Sequence, residues 1–202
     1  MPNKSYFEEH KKKSVEWAYN LIEKENFVVL DTETTDKFEN GGEIIQLAVI
    51  DHNGSPLMNE LLWPKSGKIS PGAQAVHKIS IESLAGKPTF NDIYTRLKTL
   101  TCDKIIIAYN VWFDKQVIEL ACKLYGLEQL PNSWECAMLQ FAKFNGEWND
   151  YRNDFKWKKL VEAVKGLNIE VKDAHDALGD VRMTLDVIKA MAHEYVPLVF
   201  FA

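Results

Sequence analysis

Cysteine is scarce in this chain. Only Cys102, Cys122 and Cys136 occur among 202 residues. The number is odd and no CxxC pair is present, which argues against a disulfide framework or a cysteine-rich zinc site and for a reducing, cytoplasmic setting. No apolar run approaches the ~18 residues that span a bilayer. The opening stretch MPNKSYFEEHKKKSVEW has no apolar core of the kind a secretory signal needs. A soluble intracellular protein with no membrane partner is expected. There is no internal repeat, low-complexity tract or Gly/Ser linker. Nor is there a basic excess: 24 Lys and Arg face 29 Asp and Glu, a net charge of −5. The surface as a whole is therefore not built to grip nucleic acid, although a local basic patch or a metal-charged site is compatible with that balance.

What remains is an ordinary globular composition. Hydrophobic residues make up 46% and charged residues 26%, which excludes a disordered or collagen-like chain. A chain of this length buries roughly 70% of its unfolded surface, and needs neither metal nor disulfide to fold. Residues 5–25 carry Val15, Ala18, Leu21 and Ile22 at helical spacing, with the Lys11–Lys13 run beside them. The period then shortens. Residues 27–31 (FVVLD), 43–51 (EIIQLAVID) and 57–63 read as three strands of an antiparallel meander, with a turn at Asn53-Gly54. Residues 64–88 are loop-rich with short helical pieces. Phe90, Ile93, Leu97 and Leu100 mark a helix face. The β-branched run 104–110 is a buried strand leading into a helix from about Trp112, whose expected buried face is Phe113, Val117, Leu120, Ala121 and Leu124. Residues 134–144 are ambiguous, and 145–153 read as an exposed excursion. Trp157, Leu160, Val161, Val164 and Leu167 mark a further helix. A last one starts near Asp176, with Leu178, Val181, Leu185, Ile188 and Met191 facing inward. Three strands followed by βα units predict an α/β protein with a mixed sheet and helices on its faces. His10, His52 and His193 are read as surface residues.

Three short segments carry chemistry. In DTET (31–34), Asp31 and Glu33 are two apart at the end of an apolar strand, so both carboxylates share one face. Paired carboxylates repel unless one is protonated or a hard cation lies between them, and Mg²⁺ or Mn²⁺ takes oxygen ligands. Taken alone, the same spacing describes an ordinary strand end. In YNVWFD (109–114), Asn110 is placed to cap the following helix and Asp114 lies in its first turn, at a strand's carboxyl end where α/β proteins gather ligands. The helix dipole alone would also favour an acid there. Trp112 is either rim packing or a base-stacking surface. In HDALGD (175–180), five residues on a continuous helix would rotate His175 and Asp180 about 140° apart. They converge if His175 precedes the helix and Asp180 lies in its first turns.

Together and in this order, Asp31, Glu33, Asp114, His175 and Asp180 resemble the motif set of the DEDDh 3′→5′ exonucleases, the family of the proofreading subunit of bacterial replicative polymerase and of ribonuclease T. The motifs look like DTET, N-x-x-F-D and H-x-x-x-x-D. The likeness runs from about Phe27 to His193 and includes VHKIS (76–80) with Pro88 and Phe90. Tyr109 departs from it, standing where many members have His. The 1–25 helical extension and the GEWNDYRND stretch also fall outside the usual pattern, leaving residues 26–202 as the exonuclease domain.

The resemblance implies a ribonuclease H-like fold with a mixed five-stranded sheet flanked by helices. It implies that Asp31, Glu33, Asp114 and Asp180 hold two divalent metal ions, Mg²⁺ or Mn²⁺, and that His175 is the general base. It further implies that Thr32, Thr34, Thr35, His77 and Asn110 meet the terminal nucleotide of a nucleic acid 3′ end, single-stranded in the first instance and DNA before RNA. An imidazole, with an ordinary pKa of about 6.5, suits proton transfer near neutral pH. Lys156, Lys158 and Lys159 are candidates for phosphate contacts, or a solvated helix face. The alternative from another class is an accessory subunit that keeps the fold but docks on a polymerase or other complex, through the N-terminal helix or the apolar VPLVFFA terminus. Those same surfaces would serve a homodimer.

Overall fold

The computed structural model describes residues 2–171 and 174–196. The chain opens with α1 (Lys4–Lys24), whose first turn is closed by the Asn3 side chain accepting the Tyr6 N–H at 3.0 Å. Strand β1 (Phe27–Thr34) follows after only two residues. Phe27 to Leu30 are all fully buried, which requires helices on both faces. β2 (Ile44–Asp51) and β3 (Pro56–Leu61) complete the expected antiparallel meander. At the tip between them, Asp51 accepts the Asn53 and Ser55 N–H groups at 2.9 and 2.8 Å, and Gly54 takes φ +96°. Short α2 (Pro71–His77) lies in the loop-rich stretch. α3 (Phe90–Thr101) starts with a Thr89–Asp92 capping box. β4 (Ile105–Ala108) pairs parallel with β1 and leads to α4 (Val111–Tyr125).

The ambiguous 134–144 region is a short strand, β5 (Trp134–Cys136), parallel to β4, running directly into α5 (Ala137–Asn145). Then come the two-stranded ribbon β6 (Trp148–Asn149) with β7 (Asp154–Phe155), α6 (Leu160–Gly166) and α7 (Ala177–Ala192). The sheet order is β3-β2-β1-β4-β5, so β1 is central and the expected mixed, five-stranded, helix-flanked sheet is present. Along β1 the side chains alternate between two cores. Phe27 and Val29 join Ile50 and Ile107 under α1, α5, α6 and α7. Val28 and Leu30 join Leu47, Val49 and Ile106 under α3 and α4. All three cysteines are free. Among the described residues no helix is long and apolar enough to cross a membrane.

Several local expectations need correction. Val117 and Ala121 do face inward from α4, but their companions are Asp114, Ile118 and Cys122; Leu124 is exposed and Phe113 and Leu120 are half-buried. The inward stripe begins at a carboxylate, which an apolar template passes over. Trp157 lies before α6 and is 47% exposed, and Leu167 caps that helix rather than continuing it. The 145–153 excursion is anchored: Trp148 and Phe155 pack on Tyr6 and Phe7 of α1. His10 is half-buried in that cluster, 5.2 Å from the Phe155 ring. His52 is also half-buried, 3.6 Å from the Glu25 carboxylate; of these three histidines His193 is exposed. Residues 197–202, most of the apolar terminus, lie outside the described residues.

α1 is part of the packed unit, because Val15, Ala18 and Leu21 lie in the same core as α5 and α7. Leu21→Ala should therefore lower the urea-unfolding free energy by about 2–5 kcal/mol. An unchanged midpoint would show that α1 is a detachable extension.

Candidate active site

The site forms where β1 stops being apolar. After Leu30 the strand alternates: Asp31 and Glu33 are half-buried on one side, while Thr32 and Thr34 are buried on the other. Because β1 is central and β4 is short, the carboxylates stand at the carboxyl end of the sheet, between the first turns of two helices. α4 supplies Asp114, which is 3% exposed. Its Oδ1 accepts the Thr32 N–H at 3.1 Å and the Thr32 hydroxyl at 2.9 Å, so Thr32 fastens the start of α4 to β1. α7 supplies Asp180. Carboxylate oxygens of Asp31, Glu33 and Asp180 lie within 4.8 Å of one another. His175 directly precedes α7 in the left-handed region at φ +66°, is exposed, and donates its N–H to Asp180 Oδ1 at 3.3 Å. The predicted arrangement, a histidine before the helix and an acid in its first turn, is the one observed.

Two residues of the site's framework were not anticipated. Gln46 is buried in an otherwise apolar strand. Its Nε2 donates to Asp176 Oδ1 at 2.7 Å and its Oε1 accepts the Ala177 N–H at 3.2 Å. Asp176 also caps α7, with Oδ2 accepting the Gly179 N–H at 3.1 Å. This pair sets the start of α7 against β2 and so aims Asp180. A lone glutamine inside EIIQLAVID was the signal available, since a buried amide requires partners.

The electrostatics are severe. Among the described residues no lysine or arginine forms an ion pair with Asp31, Glu33, Asp114 or Asp180. Burial, then the charges of Asp114, Asp180, Glu33 and Asp176, holds the Asp31 carboxyl well above the usual range. Burial and the same neighbours push Glu33 to about 8. Burial pushes Asp114 to about 7, against the pull of the Thr32 hydrogen bonds. Asp180 is raised by burial, with the His175 N–H and ring opposing. A converging set of oxygen donors that lacks its own counter-charge is the donor set a hard divalent cation fits.

Beside Glu33 lies a cavity of about 380 Å³ lined by Thr32, Thr34, Lys37, Val76, His77 and Phe113, among others. His77 is buried. Its Nδ1 accepts the Ile79 N–H at 3.0 Å, while Nε2 lies beside the Thr34 backbone without a well-formed hydrogen bond. Of the other expected contacts, Thr34 donates its hydroxyl to the Asp36 carbonyl at 2.8 Å. Thr35 is engaged with Glu43 through both its N–H and its hydroxyl, at 2.8 and 2.9 Å. Asn110 is exposed and caps α4 by position, without a side-chain hydrogen bond. Neither Thr35 nor Asn110 lines the cavity. Lys156 and Lys158 both pair with Glu147, and all three lysines precede α6 rather than lying along a helix face. Trp112, 58% exposed, leans edge-on against Phe38 at 4.6 Å on the rim.

A sheet of this order with acids at its central strand end and at two helix starts defines a hydrolase of the ribonuclease H-like fold. Residues 28–188 match the family model described as Exonuclease and named for RNase T, and the chain belongs to that exonuclease family. An uncharacterized exonuclease, CP81, of Escherichia phage 186 is 36% identical over 173 residues, covering 82% of this chain and 87% of its own. Two solved structures share the fold. Exonuclease I of E. coli, solved in complex with a dT13 oligonucleotide, superposes with a TM-score of 0.67 at 23% identity over 81% of this chain and 40% of its own. The nuclease domain of 3′hExo, a DEDDh family member bound to rAMP, superposes at 0.64 with 16% identity, over 83% and 92%.

Raised carboxyl pKa values carry a stability consequence. Glu33 and Asp114 bind protons more tightly folded than unfolded, so the metal-free protein is favoured below their ordinary values of 4.5 and 3.8 and loses that advantage as pH rises through about 8 and 7. His77, lowered by burial, acts in the opposite sense but is one group against several. In chelator, the thermal midpoint should fall between about pH 6 and about pH 8.5. Mn²⁺ should raise it more at the higher pH, where the carboxylates are charged. A metal-free midpoint that climbs over this interval would contradict the crowded-carboxylate reading.

Proposed function

We propose that this protein is a metal-dependent 3′→5′ exonuclease that releases nucleoside 5′-monophosphates from the 3′ end of a single strand, DNA before RNA. The observation that carries the proposal is the convergence of Asp31, Glu33 and Asp180 within 4.8 Å, with buried Asp114 beside them. Asp31, Glu33, Asp114 and Asp180 would hold two divalent ions, Mg²⁺ or Mn²⁺. When bound, such ions offset phosphate charge and lower the pKa of a coordinated water.

The chain's own residues supply the rest. Asp31 interacts with the charges of the other three acids and would be a ligand in the metal site. Thr32 and Gln46 keep Asp114 and Asp180 aimed from opposite sides of β1. His175 faces solvent next to Asp180, where it can take the proton of the attacking water. That water's oxygen joins phosphorus, the bond from phosphorus to the penultimate O3′ breaks, and O3′ takes a proton from solvent to leave a new 3′ hydroxyl. Thr34 and His77 line the cavity beside Glu33, which would receive the terminal nucleoside, with buried His77 shaping its wall. A complete set of acids favours catalysis over a purely accessory docking role.

His175→Ala should lower kcat on a labelled oligonucleotide by about 10²–10⁴-fold while metal affinity changes little, because loss of a general base falls in that range. Asp31→Ala should abolish the metal-dependent release of mononucleotides, yet leave the metal-free thermal midpoint at or above wild type, since one member of a repelling group is gone. Product ladders on 5′-labelled strands read both outcomes. Full activity of Asp31→Ala, or products released from the 5′ end, would reject the proposal.

A further inference from the structure

If the protein is an exonuclease as proposed above, the β6–β7 ribbon gains a role from where it sits. Its place in the fold is set by a ladder of contacts along α1. The Trp17 indole N–H donates to Glu135 in β5. Ser14 donates to Gln140 at 3.4 Å. Lys11 Nζ sits 4.6 Å from the centre of the Phe144 ring. Tyr6 stacks on Phe155 at 5.9 Å. Climbing α1 toward its N-terminus therefore follows the chain out of β5, through α5, to the ribbon. β5 runs parallel to β4, and β4 to β1, so the ribbon lies beyond the carboxyl ends of these strands. That is the end where Asp31 and Glu33 stand. A second tie confirms the placement: Tyr109, at the end of β4, donates its hydroxyl to the Lys158 carbonyl at 2.8 Å.

The ribbon has two unlike faces. Trp148 and Phe155 are held inward against α1. Outward, Tyr151 is 97% exposed and Trp157 47% exposed, and the Arg152 guanidinium lies 4.9 Å over the Trp157 ring. Arg152 forms no ion pair among the described residues, whereas Lys156 and Lys158 are taken by Glu147. Over residues 147–159 four cations face three anions, a local excess of one positive charge in a chain of net −5. Exposed rings beside a guanidinium free of ion pairs among the described residues, at the same end of the sheet as the acids, have the composition of a sequence-tolerant stacking platform.

We infer that the ribbon is a binding arm for the single strand 5′ of the terminal nucleotide, with Tyr151 and Trp157 stacking on bases and Arg152 serving a phosphate. The test compares substrates that reach the ribbon with one that does not. Binding of labelled dT12 and of a dT dinucleotide is measured by fluorescence anisotropy with Ca²⁺, and turnover of both is measured with Mg²⁺ or Mn²⁺. Tyr151→Ala combined with Trp157→Ala should weaken dT12 binding roughly tenfold or more, the scale of losing one or two stacked bases. The advantage of dT12 over the dinucleotide in kcat/KM should shrink by a similar factor. Tyr151→Ala alone, at a side chain without packing contacts to lose, should give part of that effect. Wild-type binding of dT12 by both variants would overturn the inference and leave the ribbon as a protein-facing surface. Equal weakening for dT12 and the dinucleotide would also overturn it. Failure of the wild-type protein to cleave either substrate is a different result, and rejects the exonuclease reading itself.

Discussion

Four carboxylates are packed at the end of one buried strand with no lysine or arginine paired to them among the described residues, and the architecture is arranged around that repulsion. Left uncompensated, like charges in a desolvated setting drive proton uptake, which is the direction each of these groups takes. The fold reduces the penalty only partly. Asp114 and Asp180 lie in the first turns of α4 and α7, where the helix dipole favours negative charge. Thr32 gives Asp114 two hydrogen bonds. What is left over is a donor set that suits hard cations, and the proposed chemistry rests on it.

Holding such a site open requires rigidity behind it. β1 supplies this by being central and buried on both faces, so Asp31 and Glu33 have little freedom to separate. Gln46 and Asp176 pin α7 to β2 on one flank, and Thr32 pins α4 on the other. α1 adds a brace on the same face of the sheet as α7. Its contacts step from β5 through α5 to the ribbon, giving a short, polar hairpin a fixed position it could not hold by itself, since two-residue strands are marginal alone. The aromatic residues spent on anchoring that hairpin, Tyr6, Phe7, Trp148 and Phe155, leave Tyr151 and Trp157 facing outward.

Much of this was legible in the sequence, for identifiable reasons. A strand's period of two is short and strict, so DTET at the end of FVVLD placed Asp31 and Glu33 together. The 3.6-residue period put His175 and Asp180 out of line on one helix, which located the helix start between them. The residues that misled the pattern are those whose polarity serves the site. Asp114 occupies an inward position of α4, so an apolar template slid to Leu124, which is exposed. Gln46 and Asp176 contact each other across 130 positions, and nothing local signals that pairing. The ribbon was invisible because its strands are two residues long and its partners are on α1. Thr35 and Asn110 were expected by likeness to meet the terminal nucleotide; Thr35 is hydrogen-bonded to Glu43 and Asn110 is exposed at the α4 start, outside the cavity lining.

The central claim is that these acids form a cage for two cations. Diffraction from crystals grown with Mn²⁺, recorded at the manganese absorption edge, tests it most directly. The account predicts two anomalous peaks among the carboxylates of Asp31, Glu33, Asp114 and Asp180. Manganese found only elsewhere, with those four side chains empty of metal, would contradict it.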